Sequence, residues 1–258
     1  MILSLNENED AEKYLSEHYI DKNIFNKLRV IAGYFFEHGY NKEQVKERLR
    51  EHIARCGESP SLNVWNDTIN MAIKRASKTK LIQIDYLPIY KSELDKIETL
   101  SGIRCKRLAF TLLCLSKYRD ALNENNDHWV CYEHSDIMKM ANIKDSLKEQ
   151  ARMYRQMTTR GYLFFPDKVD SISMKVLYSD ESGEEAIRIT NMKNLGYQYL
   201  KYIGEPYFEC ACCGNTVKID NEFGRPQKYC KECATIIHAQ QKTNSIMRIR
   251  DGVKECVC

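Results

Sequence analysis

Four cysteines near the end of this 258-residue chain are spaced like the ligands of a metal ion. Cys210 and Cys213 form one C-x2-C pair, Cys230 and Cys233 form a second, and sixteen residues separate the pairs. Each pair on a tight turn can direct two thiolates at one tetrahedral ion, and this spacing is typical of a zinc ribbon. The sequence therefore predicts one structural Zn2+, which folds the segment because four protein ligands leave no open position for catalysis.

Cys212 competes with Cys213 for a place in the first pair. A pair formed by Cys210 and Cys212 would shorten the turn and misplace Gly214, which directly follows Cys213. A glycine at that point relieves the turn because it adopts positive φ at little cost. The sequence therefore favours Cys213 as the ligand, and four unligated cysteines remain the alternative to a metal site.

A second set of chemically capable side chains lies in the predicted helix between Ser146 and Arg160. Lys148, Arg152, Arg155 and Thr159 are spaced by four, three and four residues, which places them on one face. Arginines on an exposed helix face can contact phosphates or guanine edges in a major groove. The predicted nucleic-acid contacts are Lys148, Arg152, Arg155, Gln156, Thr159 and Arg160. A solvated surface or a protein-binding platform would explain the same stripe.

The opposite face of this helix is predicted to be its apolar, buried side. Leu147, Ala151, Tyr154 and Met157 recur at three and four residues along it. Ser146 and Glu149 form an S-x-x-E capping box where the helix should begin. From Asp136 to Arg160 there are six basic and three acidic residues, a local charge of +3.

The surrounding elements follow the order of a winged helix-turn-helix domain. A long apolar helix with Leu108, Leu112, Leu115 and Leu122 precedes the strand-like WVCY, and three more strand-like runs, YLFF, SISMKVLY and AIRIT, follow the basic helix. The run HSDIMKMANIKDSLKEQARMYRQMTTRGYLFF resembles the second helix, turn, recognition helix and first wing strand of such domains. This resemblance covers about residues 90 to 200 and implies that the basic helix is a DNA-contacting element.

The first segment of the chain is predicted to be a small helical module. Its apolar residues recur at three and four: Phe25, Leu28, Ile31 and Phe35, then Val45, Leu49 and Ile53, then Trp65, Ile69 and Ile73. The pattern of Asn26, Leu28, Ala32, Tyr34, Gly39, Val45, Leu49 and Ile73 resembles the C-terminal helical module of primases from phages and plasmids. The chain lacks the polymerase and helicase parts that accompany that module, so the resemblance does not imply priming activity.

The predicted fold class is mainly α with small β, in three domains. A helical module occupies residues 1–90, a winged helix-turn-helix domain residues 91–202, and a four-cysteine zinc ribbon with a basic helical tail residues 203–258. The tail is expected to be a helix from Ala234 to Arg250. The stretch LIQIDYLPIY at 81–90 looks extended, and Pro88 makes it a poor central strand.

Composition and missing motifs exclude several classes of protein. The net charge of +3 falls to +1 if four thiolates and one Zn2+ are counted, so any anionic partner must be recognised by a local cluster. No apolar run approaches the ~18 residues of a membrane span, and the acidic N-terminus lacks the basic start of a secretory signal. P-loop, dinucleotide, hydrolase and zinc-protease motifs are missing as well. A cytoplasmic protein without membrane partners or enzymatic activity is expected.

These features together predict a DNA-binding protein. The segment QKYCKECA resembles the zinc knuckles, which are cysteine-containing turns, common in small proteins of phages and mobile elements of Firmicutes. The expected function is non-enzymatic DNA binding in the replication or transcription control of such an element. The alternative is an adaptor or inhibitor that uses the same domains to hold a protein of a replication or host-defence complex.

Overall fold

The computed structural model describes residues 3–16, 19–58, 63–167, 172–219, 226–239 and 241–242. The chain divides into two compact units, residues 2–86 and 87–258. It is mainly helical with small sheets, as the sequence predicts. The predicted three-domain division stays a prediction, and the tail beyond residue 242 lies outside the described residues.

Within the described residues, the first unit is a four-helix module. Its helices are α1 (Glu7–Ser16), α2 (Ile24–Glu37), α3 (Lys42–Arg55) and α4 (Asn63–Ala76). All ten apolar residues predicted from the spacing belong to one core cluster, either fully buried or packed against it. The helical period in this segment therefore identified its core correctly.

A capping box fixes the start of α3. The Asn41 side-chain oxygen accepts a hydrogen bond from the backbone N–H of Gln44 at 3.0 Å, and the Gln44 side-chain oxygen accepts one from the backbone N–H of Asn41 at 2.9 Å. The exchange satisfies two backbone donors that the first turn of a helix otherwise leaves without partners.

The second unit contains five α-helices and seven short strands among its described and bounded elements. They are β1 (Leu87–Tyr90), α5 (Lys91–Glu98), α6 (Ile103–Leu122), β2 (Trp129–Cys131), α7 (His134–Met140), α8 (Leu147–Thr159), β3 (Leu163–Phe164), β4 (Ser173–Val176), β5 (Glu185–Ile189), α9 (Leu195–Tyr202), β6 (Tyr207–Glu209) and β7 (Thr216–Lys218). A further helix occupies residues 231–239.

A three-stranded antiparallel sheet packs beside α6 and α8. Its strand order is β2-β4-β3, with Trp129 opposite Lys175 and Leu163 opposite Val176. Burial alternates along β4, as in a sheet with one face on the core. The strands predicted at WVCY, YLFF and SISMKVLY are confirmed, and the chain runs helix, strand, helix, helix, strand, strand.

The fourth predicted strand pairs elsewhere. β5, which contains most of the AIRIT run, pairs antiparallel with β1, so Leu87 lies opposite Ile189. The last four residues of the stretch at 81–90 are therefore a paired strand of the second unit. Pro88 lies opposite Arg188 in this two-stranded sheet, where the missing N–H of a proline is tolerated.

Helix α6 is the central element of the second unit. Every residue from Leu108 to Tyr118 is buried, and a helix buried on all sides is typical of a domain core. The predicted burial of this helix is therefore confirmed for Leu108, Leu112 and Leu115. Leu122, in its last turn, is instead 43 % exposed.

Lys117, a charged residue inside this core, has a buried partner of opposite charge. Lys117 Nζ lies 2.9 Å from Glu93 Oε1, and the Glu93 side chain is fully buried. The Glu93 carboxylate also accepts backbone N–H groups from Tyr90 and Asp180, both at 2.8 Å. Paired and hydrogen-bonded in this way, the two charges tie α5 and α6 to the chain that follows β4.

Helix α9 packs closely on the end of α7 at a glycine. A Cβ atom placed on Gly196 would lie 1.9 Å from the backbone oxygen of Ala141. Real Cβ atoms do not approach a backbone oxygen so closely, so any larger residue must move one of these segments.

We expect Gly196→Ala to destabilise the second unit by about 1–3 kcal/mol, because the added methyl overpacks this contact. Helix propensity alone predicts the opposite sign, a gain of about 1 kcal/mol on replacing glycine by alanine in a helix. Urea denaturation of the parent and the variant measures whether the free energy of unfolding falls or rises. An increase in the free energy of unfolding would show that α9 does not lie against Ala141.

Candidate metal centre and nucleic-acid interface

The first cysteine pair lies at the tip of a β-hairpin. β6 and β7 pair antiparallel with Tyr207 opposite Lys218, and residues 210–213 form the turn after β6. The backbone N–H of Gly214 donates to Cys210 O at 2.9 Å, and Gly214 has φ of 66°. The predicted need for a glycine after the knuckle is thus confirmed.

The second cysteine pair lies at the start of a helix. Cys230 immediately precedes the helix at 231–239, and Cys233 is in its first turn. The sequence placed this pair on a second tight turn and began the helix at Ala234, so the helix starts three residues earlier than predicted. A helix N-terminus favours thiolates, because its free N–H groups and its dipole present positive charge.

The four sulfur atoms form one compact cluster. The Sγ atoms of Cys210, Cys213, Cys230 and Cys233 all lie within 4.8 Å of one another. Zn–S bonds of about 2.3 Å in a tetrahedron imply sulfur separations of about 3.8 Å, and Cys213 Sγ lies 3.8 Å from Cys230 Sγ. This exceeds the ~2.05 Å of a disulfide, and all four cysteines are free. The donor set fits one tetrahedral metal ion.

Cys212 lies outside this cluster. Its side chain is exposed, whereas Cys210, Cys230 and Cys233 are buried and Cys213 is half-buried. The cluster thus contains Cys213, the cysteine that the sequence favours over Cys212.

Backbone N–H groups stabilise the thiolate form of Cys210. The backbone N–H of Cys230 donates to Cys210 Sγ at 3.3 Å. Burial opposes ionisation, but this N–H and those of Cys213 and Cys212 outweigh it and lower the pKa of Cys210 to about 6. Burial raises the pKa of Cys213 and Cys233. N–H donors aimed at a sulfur stabilise its charged form, which is the form that binds a metal.

A path of hydrogen bonds joins the hairpin to the turn between α7 and α8. The Asn194 side-chain nitrogen donates to Thr216 O at 3.3 Å, and the Asn194 side-chain oxygen accepts from Asn142 Nδ2 at 2.9 Å. Arg107 donates to Ala141 O at 2.7 Å in the same turn. The hairpin that carries the first knuckle therefore braces the turn that precedes α8.

Helix α8 buries one face and exposes the other. Met153, Tyr154 and Met157 are buried. Four of the predicted nucleic-acid residues share the exposed face, namely Lys148, Arg152, Arg155 and Thr159. Arg152 lies 4.0 Å from Glu149 and keeps 80 % of its side chain exposed, so this pair leaves the cation accessible.

The other two predicted residues stand at the edge of this face. Gln156 Nε2 donates to Ser101 O at 3.4 Å, and the Arg160 guanidinium donates to Thr99 O at 2.9 Å. Both side chains thus fasten α8 to the connection between α5 and α6. They reach the exposed face less directly than the other four.

The predicted apolar stripe was wrong at two positions. Leu147 and Ala151 are exposed, whereas Met153, which was not assigned to the buried side, is buried. The buried face is thus rotated relative to the predicted stripe, because α8 contacts the core mainly through its second half. Leu147 and Ala151 join the basic residues on the outer surface.

The chain matches no protein-family model, no curated protein and no solved structure. Its function must therefore be argued from the chemistry of the cysteine cluster and of α8. None of the helices in the described part of the chain combines the length and apolar character of a membrane span.

Proposed function

We propose that this chain is a cytoplasmic, non-enzymatic, zinc-containing winged-helix protein that binds duplex DNA. The observation that carries the proposal is the exposed face of α8. It presents Lys148, Arg152 and Arg155 to solvent while the opposite face of the helix packs on the core. Cations on one accessible helix face can neutralise phosphates and donate to guanine edges in a major groove.

The topology around α8 supports this role. The order of α6, β2, α7, α8, β3 and β4, with a β2-β4-β3 sheet, resembles the order expected of a winged helix-turn-helix domain. In DNA-binding helix-turn-helix motifs the second helix enters the major groove and contacts bases through its N-terminal residues. Helix α8 occupies that place in the chain, and its first turns carry the exposed Lys148 and Arg152.

The proposed role of zinc is structural. The core cluster around the metal site consists of the four cysteines and Val217, which is too little apolar surface to hold a hairpin and a helix together. A bound Zn2+ would supply four metal–sulfur bonds in place of that missing core. Through Asn194 and Asn142 the same hairpin would support the turn before α8.

The proposed biological setting is the replication or transcription control of a phage or mobile element. It is supported by the primase-like pattern of the four-helix module and by the knuckle phrase QKYCKECA. The module forms a compact unit with its own core, which is consistent with a transferable module.

A titration of the full chain onto fluorescent duplex DNA tests the proposal. Between ~50 and ~200 mM salt the affinity should fall steeply, because each neutralised phosphate releases condensed counterions. A single strand of the same length should bind more weakly, since it lacks the major groove that α8 would enter. Affinity that is independent of salt, or no binding at ~50 mM salt, would exclude this function.

A protein-binding adaptor is the second candidate, and the outer face of the three-stranded sheet favours it. Phe164 is 48 % exposed there, and its ring lies 6.1 Å from the ring of Trp129 on β2. Trp129 is half-buried beside it, and aromatic rings at a protein surface are common in protein interfaces. An adaptor should retain a partner protein through these rings, so Phe164→Ala should reduce that retention and leave DNA affinity unchanged.

A further inference from the structure

The first residue of α8 is an exposed leucine. Leu147 is 83 % exposed, more than any other large hydrophobic side chain among the described residues. It follows Ser146, whose hydroxyl accepts the backbone N–H of Glu149 at 3.4 Å and starts the helix. The side chain therefore sits on an ordered helical turn and not on a loose loop.

Leu147 belongs to the face that carries the cations. Ala151 follows one turn later and is also exposed, and Arg155 follows one turn after that. Positions four apart lie above one another on a helix, so these three form a row beside Lys148 and Arg152. The exposed face thus has an apolar edge at its N-terminal end and cations next to it.

Major-groove chemistry offers one apolar group that fits such an edge. The 5-methyl of thymine projects into the major groove, and side chains such as alanine contact it there, whereas arginine pairs with guanine. The neighbouring cations match the negative charge of the DNA backbone on either side of the bases. The cations next to the apolar edge would be repelled by a basic protein surface but attracted by DNA.

We propose that Leu147, with Ala151 beside it, reads thymine in the DNA site by contacting its 5-methyl group. This inference rests on the proposed function, because it requires α8 to enter the major groove. It assigns the chain a duplex substrate with at least one thymine at the position that faces the first turn of α8.

The test begins with a duplex selected from random sequences by the full, zinc-loaded chain. Each thymine of that duplex is then replaced in turn by deoxyuridine, which removes only the methyl group. At one position at least, affinity should fall about fourfold, the effect expected for one buried methyl. Leu147→Ala should weaken binding to the thymine duplex by a similar factor and should lose the response to deoxyuridine.

Leu122→Ala is the matched control, since it removes the same side chain from another exposed site, at the end of α6. This variant should bind like the parent and keep the thymine preference. Both variants should melt near the parental temperature, because neither side chain is buried.

A failure of the thymine inference can be distinguished from a failure of the proposed DNA binding. If the chain selects no duplex, the proposed function and this inference fall together. If it selects a duplex but no deoxyuridine substitution changes affinity, or if Leu147→Ala keeps the full response, the reading of thymine is wrong while DNA binding stands. A loss of affinity for a protein partner in place of DNA would assign Leu147 to the adaptor function.

Discussion

Cys230→Ser is expected to remove the metal from the protein and to unfold its C-terminal segment. A serine hydroxyl does not replace a thiolate ligand, and structural zinc contributes about 10–16 kcal/mol of apparent binding energy to the folding of small metal domains. The zinc content measured by metal analysis should fall from one ion per chain to none. Limited proteolysis should then cut within residues 207–242, while the four-helix module stays resistant because its core is separate.

Cys212→Ser is the matched control for this experiment. It makes the same chemical change two residues after Cys210, but at an exposed cysteine outside the cluster. It should keep one zinc per chain and the parental proteolysis pattern. A Cys230→Ser protein with unchanged metal content and protease resistance would show that the cysteines do not hold a structural ion.

Arg152→Ala combined with Arg155→Ala is expected to lower DNA affinity by about 10- to 100-fold near ~100 mM salt. The two exposed guanidinium groups would no longer neutralise phosphates, so the slope of log affinity against log salt should become shallower by about 1.8. Folding should change little, because both side chains are exposed and alanine is a strong helix former. Fluorescence anisotropy across the salt range and a thermal melt measure these effects.

A double variant with Lys193→Ala and Lys218→Ala controls for net charge. It also removes two exposed cations from the second unit, but from positions outside α8. Its affinity should fall less than tenfold, because only the general attraction between protein and DNA weakens. Equal losses in the two double variants would mean that α8 has no special role and that net charge alone attracts DNA.

The cysteine cluster could be predicted because its information is local. The two C-x2-C spacings indicate paired sulfur ligands, and the glycine after the first pair indicates a turn there. The core of the four-helix module could be predicted equally well, since its apolar residues follow the helical period without interruption. In both cases residues near one another in sequence already indicate which side chains cluster.

The burial of α8 could not be predicted from its own residues. Leu147 and Ala151 match the apolar period as well as Met157 does, but the core reaches only part of the helix. Which turns of an amphipathic helix are covered depends on where other elements end. The exposed leucine thus became visible only with the tertiary structure.

Contacts between residues that are distant in sequence could not be predicted either. Nothing near Leu87 indicates a partner a hundred residues later in β5, and nothing near Glu93 indicates that Lys117 will be buried against it. Similarly, the spacing of Cys230 and Cys233 is the same on a knuckle turn and at a helix start. These features are determined by packing between elements that are distant in sequence.

Amide hydrogen exchange of the full, zinc-loaded chain with and without saturating duplex DNA tests the central claim most directly. Binding stabilises the contacted element, so exchange should slow in residues 147–160 and in the turn before them, while the core of the four-helix module keeps its exchange rates. Saturated binding without slower exchange in residues 147–160, or protection confined to another segment, would contradict the assignment of α8 as the DNA-contacting helix.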